Sequence, residues 1–255
     1  MFEIASLYPV LLIVCPLVFL AGFTDSIGGG GGLISLPAYL LAGLPAHKAI
    51  ATNKLSSTSG TIFSTYRYFK SGYLDLKLAT PAIVMALLGA QIGAHFALIV
   101  DENIFKLLLM LVLPIVAIYL LFHKNSDSKV KELSLGRRII IVMIISLLVG
   151  AYDGFYGPGT GTFLIILYTN LAKMDILVAS GNAKIVNLAS NISALSAFLF
   201  SGNVIVGLGL IASVFSIAGN LLGSALAIRE KGRITKPIIL IVIILLMLKL
   251  TIELL

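Results

Sequence analysis

The sequence predicts an all-α, polytopic membrane protein: about ten transmembrane segments in two inverted five-segment repeats, with helices broken at glycine-rich motifs. Three observations predict it. The mean hydropathy is +1.08, and 59% of residues are hydrophobic against 11% charged. A soluble domain carries roughly 25% charge, so lipid rather than water is the main solvent of this chain. The chain also contains itself twice. "GFTDSIGGGGG" (22–32) is echoed by "GAYDGFYGPGTG" (150–161), which aligns Gly22 with Gly150, Asp25 with Asp153 and Gly29 with Gly157. After a slip of one or two residues Lys54 matches Lys184, Ser71-Gly72 matches Ser201-Gly202, and Gly89 and Gly93 match Gly219 and Gly223. Duplication on this scale in an apolar chain is the pattern of a transporter built from two related halves. Finally, the basic residues gather in short loops between apolar runs, as charge bias in membrane proteins requires.

The apolar runs follow in order. Residues 4–23 come after Glu3 with no basic n-region, so they read as a first span rather than a cleaved signal. Residues 33–44 are too short to span, because twelve helical residues rise only ~18 Å against a core of ~30 Å. Residues 47–69 have the length of a span but are unusually polar, whereas 78–99 and 104–122 are ordinary spans. The second half repeats the series at 138–153, 161–171 (short), 176–200 (polar), 203–228 and 236–254. The organisation is therefore a first repeat over 1–122, a cytoplasmic connecting loop over 123–137, and a second repeat over 138–255.

Charge decides whether the short segments cross. The basic loops are 67–77 (Arg67, Lys70, Lys77), 123–138 (Lys124, Lys129, Lys131, Arg137, Arg138) and 229–236 (Arg229, Lys231, Arg233, Lys236). If 161–171 crosses, all three face the cytoplasm; if it folds back, one lands outside. Crossing is expected, with the glycine stretch supplying the missing length in extended form. Both termini then lie outside. Lys173 joins the inner cations, and only Lys48, Lys106 and Lys249 lie outside. An odd number of crossings per half makes the repeat inverted.

The polar segments carry the candidate chemistry. In "SGNAKIVNLASN" (180–191), Lys184, Asn187 and Asn191 share one helical face. The aligned residues of "TNKLSSTSGT" (52–61) are Lys54, Ser57 and Thr61. A charged residue near the bilayer centre costs about 2.5–3.5 kcal/mol on insertion scales, so it faces a cavity or a partner. One reading makes both lysines a cationic cradle for a small anion; the other makes them structural, snorkelling or paired with Asp25 and Asp153. Gly29 and Gly31, and Gly157 and Gly159, precede the short helices. There they permit close approach of a ligand, and helix-start N–H groups favour an anion. The alternative is that these glycines serve packing only, as is expected of Gly89, Gly93, Gly219 and Gly223. Asp25 and Asp153 fit three roles: binding a coupling proton, neutralising the lysines, or capping the broken helices. Gln91 either lines the pathway or bonds a neighbouring helix.

At these residues the chain resembles the TauE/SafE sulfite-exporter family of membrane permeases. The resemblance rests on Asp25 with its glycine run, "TNKL" at 52–55, the Asp-Gly-x-x-Gly-Pro-Gly motif from Asp153 to Gly159, and "AKIVNLASN" at 183–191. It covers nearly the whole length. It implies a permease for sulfur-containing or related organic anions, such as sulfite or sulfonates, in the cell membrane of a bacterial or archaeal type of cell. The expected partners are a small anionic substrate, coupling protons and the lipid bilayer.

Other classes fit less well. The net charge of +7 does not indicate nucleic-acid binding, because aromatics do not interleave with the cations. Neither glycine stretch ends in the Gly-Lys-Ser/Thr of a nucleotide P-loop. The single cysteine, Cys15, reads as packing, and His47, His95 and His123 lack ligand spacing, so neither cofactor nor metal is expected. An intramembrane enzyme would need a nucleophile with a base, and none is visible. A passive anion channel lined by the same lysines is the remaining alternative.

Overall fold

The computed structural model describes residues 4–100, 133–241 and 244. Among these the chain is helical, with no strand. In order come α1 (Ile4–Gly28), α2 (Gly32–Leu41), α3 (Ala46–Lys70), α4 (Leu76–Ile99), α5 (Leu135–Phe155), α6 (Thr160–Asn170), α7 (Ile176–Phe200) and α8 (Val206–Arg229). A further helical stretch covers 235–241. The expected crossing at 104–122, residues 123–132 of the connecting loop with His123, Lys124, Lys129 and Lys131, and the cations Lys106 and Lys249 lie outside the described residues.

Among the described residues five helices have the length and apolar character of a membrane span: residues 9–28 of α1, then α4, α5, α7 and α8. α3 matches α7 in length at 25 residues, about 37 Å at ~1.5 Å per residue, but its hydroxyls make it polar. The short helices α2 and α6 hold 10 and 11 residues.

Matched local signals set matched boundaries. α3 ends at Ser71-Gly72 and α7 at Ser201-Gly202, with left-handed glycines at φ +77° and +70°. The following residues, Tyr73 and Asn203, donate back to Tyr68 and Phe198 carbonyls, closing each helix end. Two caps fall outside this match: Asp75 begins α4 and Asp175 begins α7, accepting from the Lys77 and Leu177 N–H groups at 3.0 and 2.9 Å.

Two expectations are corrected here. α5 starts at Leu135, inside the stretch assigned to the loop. Arg137 and Arg138 occupy its first turn and hide the helix start from a hydropathy reading, although a long basic side chain can reach outward from such a position. The Arg138 Nε–H reaches the Ala172 carbonyl at 3.0 Å. The glycine stretches, moreover, are tight turns rather than extended connectors. α1 runs on to Gly28, and the break needs only Gly29 and Gly30, at φ +78° and +80°, before Gly31. In the second half Gly157 and Gly159 do the same at φ +100° and +86°. Left-handed φ is accessible to glycine at little cost.

The halves interleave. α1 packs on α8 and α4 on α5; α3 packs on α8 and α4 on α7; and α3 meets α7 at the centre. Exchanging the halves swaps the first two pairs, swaps the next two, and maps the central α3–α7 pair onto itself. Glycines make the crossings close. A Cβ on Gly89 or Gly93 would meet the Leu147 or Ala151 carbonyl, and one on Gly219 or Gly223 would meet the Phe19 or Phe23 carbonyl. These are the small-xxx-small contacts expected of the four residues. The outer faces carry large apolar side chains such as Leu12, Ile92, Leu148 and Val214, while alanine, serine, threonine and asparagine fill much of the interior. That distribution suits a lipid surround.

Candidate functional site

The two helix breaks meet back to back. Gly29 lies so close to Gly161 and the Thr162 N–H that no Cβ fits, and Gly32 approaches Pro158. The Thr162 hydroxyl donates to the Gly28 carbonyl at 2.8 Å, stitching one break to the other. Each break therefore serves as a wall for the other.

The lysines and aspartates are crossed between the halves. Lys54 of α3 pairs with Asp153 of α5 at 2.8 Å, and Lys184 of α7 pairs with Asp25 of α1 at 2.7 Å. Lys54 is 2% exposed, Asp153 2% and Lys184 0%. Burying such charges is tolerable only when they are paired and hydrogen-bonded, and they are. Lys54 also donates to the Asn191 Oδ1 at 3.0 Å, and Asn191 in turn donates to the Asn187 Oδ1 at 3.1 Å. Asp153 accepts from the Thr160 hydroxyl at 2.8 Å and the Ser190 hydroxyl at 2.6 Å. Lys184 donates to both the carboxylate and the backbone carbonyl of Asp25. The Asp25 Oδ1 accepts from the Gly31 N–H at 3.3 Å.

The aspartates thus sit where each half needs an anion, beside the start of the short helix that follows. Their negative charge complements the positive end of the helix dipole. Both carboxylates are paired with a lysine, and Asp25 also accepts a backbone N–H at its break, whereas Asp153 accepts from hydroxyls.

A cavity of about 30 Å³ lies against this cluster, room for roughly two water molecules. It is lined by Lys54, Ser57, Thr61, Asn187 and Asn191, by Gly31, Gly157 and Gly159, and by Asp25 and Asp153. Lys184 and Gly29 stand outside the lining. Lys184 is spent on Asp25, and Gly29 on the contact between the breaks. A Cβ on Gly157 would fall 3.0 Å from the Asp153 Oδ1 and 3.1 Å from the Lys54 Nζ, so glycine there keeps the meeting point of ammonium and carboxylate open.

Several lining residues escaped the sequence reading. Ser35, Asn53 and Thr160 are among them, and so are Ser216 and Asn220 of α8. A signal for the last two existed. Ser213, Ser216, Asn220 and Ser224 recur at helical spacing in an otherwise apolar run, and all four are buried. Gln91 belongs to a helix contact instead: its Oε1 accepts from the Ser193 hydroxyl at 3.2 Å. Among the described residues no cluster of His, Cys, Asp or Glu could hold a metal ion.

Residues 14–250 match the family model described as sulfite exporter TauE/SafE. The chain is similar to a probable membrane transporter protein, ORF9, of Sinorhizobium sp: 36% identity over 232 residues, covering 91% of this chain and 88% of the relative. It is 32% identical over 224 residues to the probable membrane transporter protein YfcA of Escherichia coli, covering 88% and 82% of the two chains. A probable membrane transporter protein of Haemophilus influenzae is 29% identical over 223 residues, covering 88% and 87%. No solved structure matches the chain significantly.

Proposed function

The chain belongs to the TauE/SafE sulfite exporter family of membrane transporters, and on that footing we propose that it carries a small oxyanion of the sulfite type through the cavity beside Lys54. The observation that carries this reading is the crossed pair of buried salt bridges where two helix breaks meet. An entering anion competes with the Asp153 carboxylate for the Lys54 ammonium. The amides of Asn187 and Asn191 and the hydroxyls of Ser57 and Thr61 replace part of its hydration shell. A cavity of about 30 Å³ favours a compact inorganic anion over a sulfonate with a long organic tail.

Competition for Lys54 supplies a route to coupling. When Asp153 takes a proton it releases Lys54 to the anion, so anion and proton occupy the site together. The reverse holds when the proton leaves. Asp25 is the less suited of the two to this exchange, because its lysine lies outside the cavity lining. The exchange of packing partners between the halves supports a two-fold relation between them, and we take this as a ten-crossing inverted repeat with both termini outside, in which one set of helices rocks against the other around the shared site.

Two measurements test this. In proteoliposomes, wild type is expected to accumulate or expel sulfite against its gradient under a pH difference, and Lys54→Gln is expected to lower sulfite affinity about 30-fold or more. Transport that survives Lys54→Gln unchanged would remove the site assignment, and flux that never exceeds equilibrium would indicate a passive channel. For topology, Ser71→Cys and Ser201→Cys, each in a Cys15→Ala background, should label from opposite membrane faces. Labelling from one face would end the inverted-repeat reading.

A further inference from the structure

We infer that the anion bound beside Lys54 is a hydroxyl-bearing monoanion, read by Asn220 of α8; this rests on the anion-carrier reading above. Asn220 is 1% exposed and lines the cavity. Its Nδ2 donates to the Ser216 carbonyl at 3.0 Å, one turn back along the helix. That bond fixes the orientation of the amide, since exchanging its two ends would set two acceptor oxygens against each other. The Nδ2 end is also packed between two glycines, Gly22 of α1 and Gly60 of α3, where added Cβ atoms would strike it.

The other end of the amide is the informative one. The Asn220 Oδ1 is buried and has no hydrogen-bond partner. The three other amides lining the cavity have their oxygens engaged. Asn53 accepts from Ser57 at 3.4 Å, Asn187 from Asn191, and Asn191 from Lys54. A cavity that offers an ammonium and has in its wall a residue with a spare buried acceptor is matched by a ligand carrying both an anionic oxygen and an O–H donor. A fully deprotonated oxyanion offers acceptors only, and would set an oxygen against Oδ1.

Charge points the same way. The two basic and two acidic side chains of the crossed pairs balance one another. Once Asp153 takes its proton the cluster carries one spare positive charge, which a monoanion neutralises and a dianion exceeds by one. Hydrogen sulfite, a monoanion with a hydroxyl group, meets both demands.

Methanesulfinate is a close probe, because a methyl group replaces the hydroxyl at the same charge. Affinities of hydrogen sulfite and methanesulfinate for the purified protein are measured by calorimetry below and above the second ionisation of sulfite. Wild type is expected to bind hydrogen sulfite roughly tenfold more tightly, the change that one net hydrogen bond makes. Its affinity for total sulfite should fall more steeply with rising pH than that for methanesulfinate, because both share the proton on Asp153 and only sulfite also loses its own. Asn220→Leu, which keeps the branched shape without the acceptor, should bind the two anions equally, and Asn220→Ser is a second variant should the leucine protein not fold. Equal binding of both anions by wild type overturns the inference while leaving the carrier reading intact, and so does a preference that persists in the folded variant. If neither anion binds wild type, the carrier reading itself falls and the inference with it.

Discussion

The two crossed salt bridges are related by the duplication, yet only one of them has both partners in the lining of the cavity. Lys54 and Asp153 both line it; of the other pair only Asp25 does, and Lys184 is shut away. The difference comes from the helices that pack beside them. α8 offers Ser216 and Asn220 where α4 has Ala86 and Ala90, and both alanines are fully buried. α3 makes room for the larger α8 side chains with Gly60. At the equivalent position α7 has Ser190, whose hydroxyl goes to Asp153. Duplication supplies two similar frameworks, and a few exchanges between small and polar residues leave one facing the cavity, the proposed site, and the other closed as a clamp.

The largest expected effect tests that division directly. Asp25→Asn leaves Lys184, with no exposure, facing a neutral amide and a carbonyl. Removing one partner of such a buried pair costs about 3–5 kcal/mol. Asp153→Asn leaves Lys54 with Asn191 and the cavity, so the loss should resemble that of one charged hydrogen bond, about 1.5–3 kcal/mol. Thermal unfolding in a single detergent, followed for both variants, compares them. Equal losses would show that the two pairs are interchangeable and that the clamp is no more structural than the site.

Much of this was legible in the sequence, and what was not has physical reasons. The repeat, the spans and the polar stripes of α3 and α7 follow from hydropathy and spacing, because both are properties of a single helix. Which lysine meets which aspartate is a property of packing between halves. The alignment sets Lys54 beside Lys184 and Asp25 beside Asp153, and says nothing of their crossing. Asn220 and Ser216 were hidden for a related reason: in a window of mostly apolar residues two polar side chains hardly alter the average, although their spacing places them on one buried face. The glycine runs were misread as extended because composition marks a break without giving its φ angles.

A smaller effect sharpens the comparison at the outer crossings. Gly93→Ala would drive a methyl into the Ala151 carbonyl, and Gly223→Ala would drive one into the Phe23 carbonyl. Overpacking of this kind costs typically about 1–3 kcal/mol. Because α4 on α5 and α1 on α8 are equivalent crossings, the two variants should lose similar amounts of thermal stability. A loss confined to one of them would show that the division between site and clamp extends into the scaffold.

The smallest effect concerns the short helices. Tyr39 of α2 and Tyr168 of α6 are both fully buried, but they bond in different directions. The Tyr39 hydroxyl meets Ser56 of α3 at 2.9 Å, and the Tyr168 hydroxyl meets Ser146 of α5 at 2.6 Å. One tyrosine ties its short helix to the helix that carries the lysine of its half, the other to the helix that carries the aspartate. Tyr39→Phe and Tyr168→Phe each delete one neutral hydrogen bond without opening a cavity, at a cost of about 1 kcal/mol. The serine hydroxyls keep the Asn53 and Val142 carbonyls as partners, so neither is stranded. Since the two bonds share no residue, the double variant should lose the sum of the single losses to within about 0.5 kcal/mol. A larger discrepancy would mean that α2 and α6 are coupled through the contact between the two breaks, and that a movement of one short helix is felt by the other.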